Sequence, residues 1–329
     1  MITKLRILLT GAFGIVGTQV LNYLIERNYD VRVFEVYNFN NWMKSLNYRD
    51  NAEIFWGDIR NFTDVQNAVK DVDVIIHLAA IIPPLADKKP EFAHSVNVGG
   101  TKNIISALEH MNPSSMPKVI YSSSIAIYGD RRANPLIKLE DKPNPNAHDY
   151  YAQQKLECEK LIRTSEIEWV IFRLTYIVSP HKLHLDPIMY EMPLDTRIEI
   201  CHAKDTALAL VNAIENEKVW GEIMHIAGGK KCRTTYKEYL ERMFEIFGIG
   251  FENFPESAFS TGNFHCGYMK TKKSQKLLHY QIHTLEDYYN VVAKKIGFKH
   301  YFYKMFSFFA KKFLLLKSEY YQEFLEATQ

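Results

Sequence analysis

Tyr151 and Lys155 stand four residues apart in the segment YAQQK, within a stretch whose pattern predicts a helix over 150–164, so their side chains share one face. An ammonium near a phenol favours the phenolate, and a tyrosine tuned this way can take up and return a hydroxyl proton. A Tyr-x-x-x-Lys pair is common on helix surfaces; its weight comes from its company. Ser122-Ser123-Ser124 closes an apolar run, at the place where open α/β sheets hold their ligands. A hydroxyl there can hold a substrate carbonyl or alkoxide beside the tyrosine. Ser122 and Ser123 read equally well as strand-end serines that satisfy their own backbone.

A second chemistry-bearing segment lies near the N-terminus. TGAFGIVG sets Gly11, Gly14 and Gly17 three apart, between the apolar run 5–10 and a helical pattern carried by Ile15, Val16, Val20, Leu21 and Leu24. Glycines permit a tight turn and close approach of backbone to a pyrophosphate, while the helix start offers free N–H groups and the positive end of its dipole. Glu35 ends the next apolar run, where a carboxylate can accept the adenosine ribose hydroxyls and repel a 2′-phosphate, which favours NAD over NADP. Asp58, after the third strand, is a candidate for the adenine amino group or, alternatively, a turn cap. In His77-Leu78-Ala79-Ala80 the small residues let a cofactor lie flat over a strand end, and His77 itself reads as structural.

These residues need strands that end together and helices that begin beside them. Strands are expected at 5–10, 31–36, 53–56, 72–78, 118–122 and 169–174, with helical patterns at 63–70, 92–110 and 150–164 between them. Such alternation with near-continuous apolar strands predicts an α/β fold, a doubly wound parallel sheet covered on both faces. After Arg173 the pattern loosens through a polar segment, 179–197, then resumes with a helix at 205–216, a strand at 222–227 and a helix at 236–247. The expected organisation is a cofactor-binding domain over 1–175, rejoined by 200–228. A small, mostly helical substrate subdomain is expected from 176–199 and 229–295, and a tail from 296–329.

The 329 residues are 47% hydrophobic and 24% charged with a net charge of +2, which gives no electrostatic footprint for nucleic acid. Cys158, Cys201, Cys232 and Cys266 are too far apart for a CxxC pair or metal-ligand spacing, so no metal is expected and a reducing cytoplasm is the simplest reading. The N-terminus lacks a signal-peptide pattern, and no apolar run is long enough to span a membrane. From Lys294 to Lys317 there are seven lysines, no acidic residue and a dense apolar set. That reads as a basic amphipathic helix fitted to an anionic membrane surface at the inner face, or as a helix packed on the subunit or at a homodimer contact.

Taken in order, TGAFGIVG at 10–17, Asp58, HLAA at 77–80, NVGGT at 97–101, SSSIAIYG at 122–129 and YAQQK at 151–155 resemble the extended short-chain dehydrogenase/reductase superfamily, in its NAD-dependent epimerase/dehydratase branch. The resemblance covers about residues 5–230 and implies a Rossmann-type fold. It implies Tyr151 as general acid/base, Lys155 as its activator and ribose ligand, and Ser124 as partner of the substrate oxygen. Asn97 would support the site from the neighbouring helix. The implied NAD site comprises Gly11, Phe13, Gly14, Ile15, Gly17, Glu35, Asp58, Ile59, Leu78, Ala79, Ala80, Asn97 and Ser122, with Tyr151 and Lys155.

On the substrate side the chain departs from the family. Arg173-Leu174 replaces Arg-Pro, Ile177-Val178-Ser179-Pro180 replaces Val-Tyr-Gly-Pro, and His225 stands where asparagine is usual. Sugar dehydratases of the branch carry Thr-Asp-Glu where this chain has Ser122-Ser123-Ser124, so the extra acid and base for eliminating water are missing. Epimerisation of a nucleotide sugar through a keto intermediate is expected, with Arg197 and Lys182 as phosphate contacts. The alternatives are an NAD-dependent alcohol dehydrogenase or ketoreductase, acting on a steroid-like or small alcohol, and a non-catalytic NAD-binding scaffold.

Overall fold

The structure is a computed structural model that describes residues 4–180, 187–252 and 254–328. Its strands in chain order are β1 (Arg6–Thr10), β2 (Asp30–Glu35), β3 (Glu53–Trp56), β4 (Val74–His77), β5 (Lys118–Ser124) and β6 (Leu136–Ile137). Then follow β7 (Trp169–Leu174), β8 (Tyr176–Val178), β9 (Arg197–His202), β10 (Ile223–Ile226), β11 (Arg233–Thr235) and β12 (Tyr268–Met269).

Seven of them form one parallel sheet in the order β10-β7-β5-β4-β1-β2-β3. Runs such as Ile7, Leu8 and Leu9, or Val74, Ile75 and Ile76, are buried throughout, because helices cover both faces. On one face the helix Ile15–Glu26 packs with Ala203–Ala213 through Val20, Leu21, Leu24 and Leu210. On the other, helices Phe62–Ala68, Gly100–Glu109 and Tyr150–Thr164 bury Val65, Ile104, Cys158 and Ile162. The fold is of Rossmann type, and its strand order reverses between β1 and β4, which opens a crevice at their C-terminal ends.

The helix expected over 92–110 is interrupted. Pro90–His94 runs into a π-turn, Ser95–Gly99, before Gly100–Glu109 resumes the α-helical winding. β9 leaves the large sheet and forms a separate three-stranded one, antiparallel to β11 and parallel to β8. The chain therefore returns to the large sheet's layers at Ala203. The helices Tyr236–Phe247 and Leu285–Ile296, each started by a capping box, pack on the small sheet around Tyr239, Phe244, Tyr288 and Val292.

The tail is not one amphipathic helix. It forms Lys299–Met305, Ser307–Leu315 and Glu319–Ala327. Tertiary contacts set the breaks. Leu314 buries itself with Tyr303 and Ala310 packed alongside, and the Ser318 hydroxyl donates to Ala258 O while accepting from Tyr321 N–H to start the last helix.

Candidate active site

Thr10, the last residue of β1, fixes the crevice. Its buried Oγ1 accepts the N–H groups of Leu78 and Ala79 and meets His77 Nδ1 at 2.8 Å, so the ends of β1 and β4 are tied together. The hydroxyl proton of Thr101 goes to Asn97 O at 2.6 Å, so Thr101 Oγ1 can only accept from His77 Nε2, 3.1 Å away. The chain of bonds then assigns the imidazole proton to Nε2 and leaves Nδ1 to accept from Thr10. Burial pulls the His77 pKa from 6.5 to about 3, so the ring is a neutral structural link between Thr10 and Thr101.

Beside this link the glycine turn is compact. Gly11 has φ +70°, and a Cβ on it would lie 2.7 Å from Ala79 N; a Cβ on Gly17 would lie 2.0 Å from Gly11 O. No side chain caps the helix at Gly14, and its first turn holds no acidic residue, so the N–H groups beginning at Ile15 are left to a ligand. The space, dipole and donors suit a pyrophosphate.

Glu35 closes the adenosine end of the crevice. Its Oε1 accepts Phe13 N–H at 3.0 Å, whereas Oε2 has only a 3.4 Å contact from Asn41 Nδ2 and retains capacity for ribose hydroxyls. Burial pushes the Glu35 carboxyl above its ordinary pKa, against the Phe13 bond and the nearby Lys44 ammonium. Lys44 also donates to Phe13 O at 2.8 Å. The pattern reading missed Lys44, because the short helix Phe39–Ser45 that carries it has no apolar periodicity to announce it.

Asp58, the candidate for the adenine amino group, is held by the Arg60 guanidinium, which lowers its pKa and occupies both carboxylate oxygens. Its neighbour Ile59 is buried against Gly100, where a Cβ would come within 2.8 Å of Ile59 Cγ2.

At the end of β5 the three serines divide. Ser122 Oγ donates to His77 O, and Ser123 Oγ donates to Glu159 Oε1 at 2.5 Å. Ser124 Oγ accepts Ala126 N–H, and its hydroxyl lies beside Tyr151, where it works to lower the phenol's pKa. Lys155 Nζ donates to Ser122 O at 2.7 Å and lies 5.7 Å from the centre of the Tyr151 ring. The three residues expected to act together therefore meet beyond the strand end, next to the crevice.

The expected lowering of the tyrosine pKa is not what the structure gives. Burial raises Tyr151 above its ordinary value, with only Ser124 working against it. Burial also pulls Lys155 from 10.5 to about 8. The ammonium is turned towards Ser122 O, and desolvation outweighs its field at the phenol. Tyr151 rests as a phenol, and Lys155 keeps its charge below about pH 8.

Asn97 sits in the π-turn, 2% exposed. Its Oδ1 accepts Ile81 N–H, while Nδ2 donates to Ile81 O and to Gln154 Oε1. Both amide protons are thus used inside the protein, and Asn97 acts by joining the loop after β4 to the helix of Tyr151. Beneath the site, Arg173 grips Glu159 with two bonds and donates to Tyr128 Oη, which in turn donates to His225 Nε2 at 2.8 Å.

On the substrate side, Asp149 caps the Tyr151 helix through Ala152 N–H and pairs with His265 Nδ1 at 2.5 Å. No motif announced this tie between Tyr151's helix and the loop before β12. Arg197, at the start of β9, donates to Asp195 O and is partly exposed, while Lys182 lies outside the described residues. Asp205, in the first turn of the helix Ala203–Ala213, accepts the Ile282 and His283 N–H groups, a structural use.

A seven-stranded doubly wound sheet with a Ser-Tyr-Lys cluster at the rim of its crevice is the arrangement the resemblance to the extended short-chain dehydrogenase/reductase superfamily implies, and the known proteins this chain is similar to agree with that resemblance. Residues 8–170 match the 3-beta hydroxysteroid dehydrogenase/isomerase family. A Methanocaldococcus jannaschii protein, provisionally named a UDP-glucose 4-epimerase, is 33% identical over 180 residues, 52% of this chain and 55% of that protein. A 3-beta-hydroxysteroid dehydrogenase of Mycolicibacterium neoaurum is 30% identical over 164 residues, 48% of this chain and 42% of its own length. The chain thus spans about half the length of these curated relatives. In fold it is similar to dTDP-glucose 4,6-dehydratase from Bacillus anthracis in complex with NAD, with a TM-score of 0.73 at 19% identity, covering 88% of this chain and 96% of that one.

Proposed function

We propose that this protein is an NAD-dependent epimerase that inverts a hydroxyl-bearing carbon of a nucleotide sugar through a keto intermediate. The observation that carries the reading is the meeting of Ser124, Tyr151 and Lys155, with Lys155 Nζ 5.7 Å from the Tyr151 ring centre, at the rim of the glycine-lined crevice. The crevice fits NAD: Gly11, Gly14 and Gly17 leave room for the pyrophosphate, the uncapped helix start faces it, and Glu35 Oε2 is available to the ribose. When bound, NAD supplies a hydride acceptor and later returns the hydride.

The chain's own residues handle the proton and the orientation. Ser124 Oγ holds the reacting oxygen beside Tyr151; once the Tyr151 phenol has released its own proton to solvent, Oη takes the hydroxyl proton in the oxidising half and gives it back in the reducing half. Burial disfavours the tyrosinate, and the cation beside it, Lys155, carries its charge below about pH 8. Arg197 supplies a cation towards the diphosphate. Dehydration is disfavoured, since Ser123 Oγ is committed to Glu159 and no carboxylate stands in the triplet 122–124.

The match over 8–170 to the hydroxysteroid dehydrogenase family favours a second reading, a dehydrogenase that releases its ketone. A panel of nucleotide sugars and secondary alcohols, followed at 340 nm and by product analysis, separates the two. Inverted sugar without net NADH supports the epimerase; stoichiometric NADH from an alcohol overturns it. A scaffold role requires that Tyr151→Phe leave biological activity intact.

A further inference from the structure

The tail carries two apolar faces, and only one of them is covered. Ile296, Tyr303, Ala310 and Leu314, from three successive helices, pack on the small subdomain around Phe244 and Tyr289. The opposite stripe, Phe302, Phe306, Phe309, Phe313 and Leu316, repeats at intervals of four and three residues and is exposed along its length. Phe298, Tyr301, Met305 and Phe308 widen it, and Phe298 is 92% exposed. A patch of aromatic side chains this continuous is far outside what an isolated soluble surface carries.

Its charge says what covers it. Seven lysines and no acidic residue lie between Lys294 and Lys317. Lys311 pairs with Glu252 and Lys295 donates to Pro180 O, whereas Lys299, Lys304 and Lys312 are exposed between the aromatics. A second copy docking through the same face would bring lysines against lysines across a two-fold axis. An anionic lipid surface accepts both features, aromatic rings at the headgroup level and ammonium groups against the phosphates. Among the described residues no helix is long and apolar enough to cross a membrane, so the contact is with the surface.

We infer that residues 298–316 form a docking surface for the anionic face of a lipid bilayer. On either side of this surface, Lys295 donates to Pro180 O and Tyr320 donates to the Glu191 carboxylate. The inference does not depend on what the site turns over.

The test is sedimentation of the full chain with vesicles of phosphatidylcholine alone and of phosphatidylcholine with 30% phosphatidylglycerol (about a third, the range in which surface charge acts). Binding to the anionic vesicles alone, weakened as salt rises, is expected. Lys299→Ala, Lys304→Ala and Lys312→Ala together remove three exposed charges that form none of the ion pairs among the described residues, and each is worth roughly fivefold, so the triple variant binds about 100-fold more weakly. Phe308→Ser with Phe309→Ser abolishes binding while the melting curve and NAD binding stay as in the parent. Failure of the parent to sediment with anionic vesicles overturns the inference. So does a parent that is dimeric by light scattering, becomes monomeric in the Phe308→Ser, Phe309→Ser variant and ignores vesicles, because the face then belongs to a second copy.

Discussion

His225→Asn tests the buried polar network under the active site through its pH dependence. His225 is 1% exposed, its Nε2 accepts the Tyr128 hydroxyl, and Arg173 donates to the same Tyr128 oxygen. A second proton on the ring would remove that acceptor and put a cation near Arg173, and burial with the Arg173 charge pulls the pKa from 6.5 to about 3. The folded pKa lies below the unfolded one, so the unfolded chain binds the proton first. Stability is full above pH 6.5 and is lost as pH falls towards 3. Between pH 7.5 and 5 the single group forfeits on the order of 2 kcal/mol. His77, pulled to the same region, forfeits about as much again. Asparagine keeps a carbonyl to accept from Tyr128 and does not titrate. Urea denaturation at the two pH values should therefore show the parent's loss reduced by about 2 kcal/mol in the variant. An undiminished loss in His225→Asn would refute the assignment of a neutral, network-bound imidazole.

Four other changes probe the crevice and its supports. Gly17→Ala places a methyl where Gly11 O now lies, and should lower stability by about 1–3 kcal/mol and NAD affinity more than tenfold, read by calorimetry. Glu35→Ala should weaken NAD about tenfold and narrow its preference over NADP, which parallel titrations check. Lys155→Met should abolish turnover yet cost little stability at pH 7. The buried ammonium is itself unfavourable by about 3 kcal/mol, offset in part by the orphaned Ser122 O. Since Lys155's folded pKa is below its unfolded one, the parent gains stability from pH 8 to 10.5, and thermal melts across that window should show the variant losing its relative advantage. Asn97→Leu strands Ile81 and Gln154 and should cost roughly 2–4 kcal/mol in urea titrations.

The parallel sheet was legible because β1, β4, β5 and β7 are buried on both faces and so are written as unbroken apolar runs, and the glycine turn because its spacing is local. Ser124, Tyr151 and Lys155 were legible as types, but which serine faces the tyrosine depends on β5's pleat and on Glu159 claiming Ser123. The sequence also misjudged the tyrosine's acidity, since spacing reports that a lysine is near and not how deeply both groups are buried. Asp149 with His265, and Lys44 with Phe13, were invisible because their partners are 116 and 31 residues away. The tail's composition spoke clearly of an amphipathic surface. Its breaks at Phe306 and Ser318 did not, because they answer to Ala258 and the helical subdomain.

The central claim is that Tyr151, beside Ser124 at the mouth of an NAD site, moves the substrate proton. Turnover of the parent and of Tyr151→Phe should be compared on the sugar or alcohol that the panel identifies, with NAD affinity measured on both. NAD binding should be unchanged and kcat should fall at least about 100-fold, the usual worth of a positioned acid/base. Equal turnover in the two proteins, with NAD bound, would contradict it.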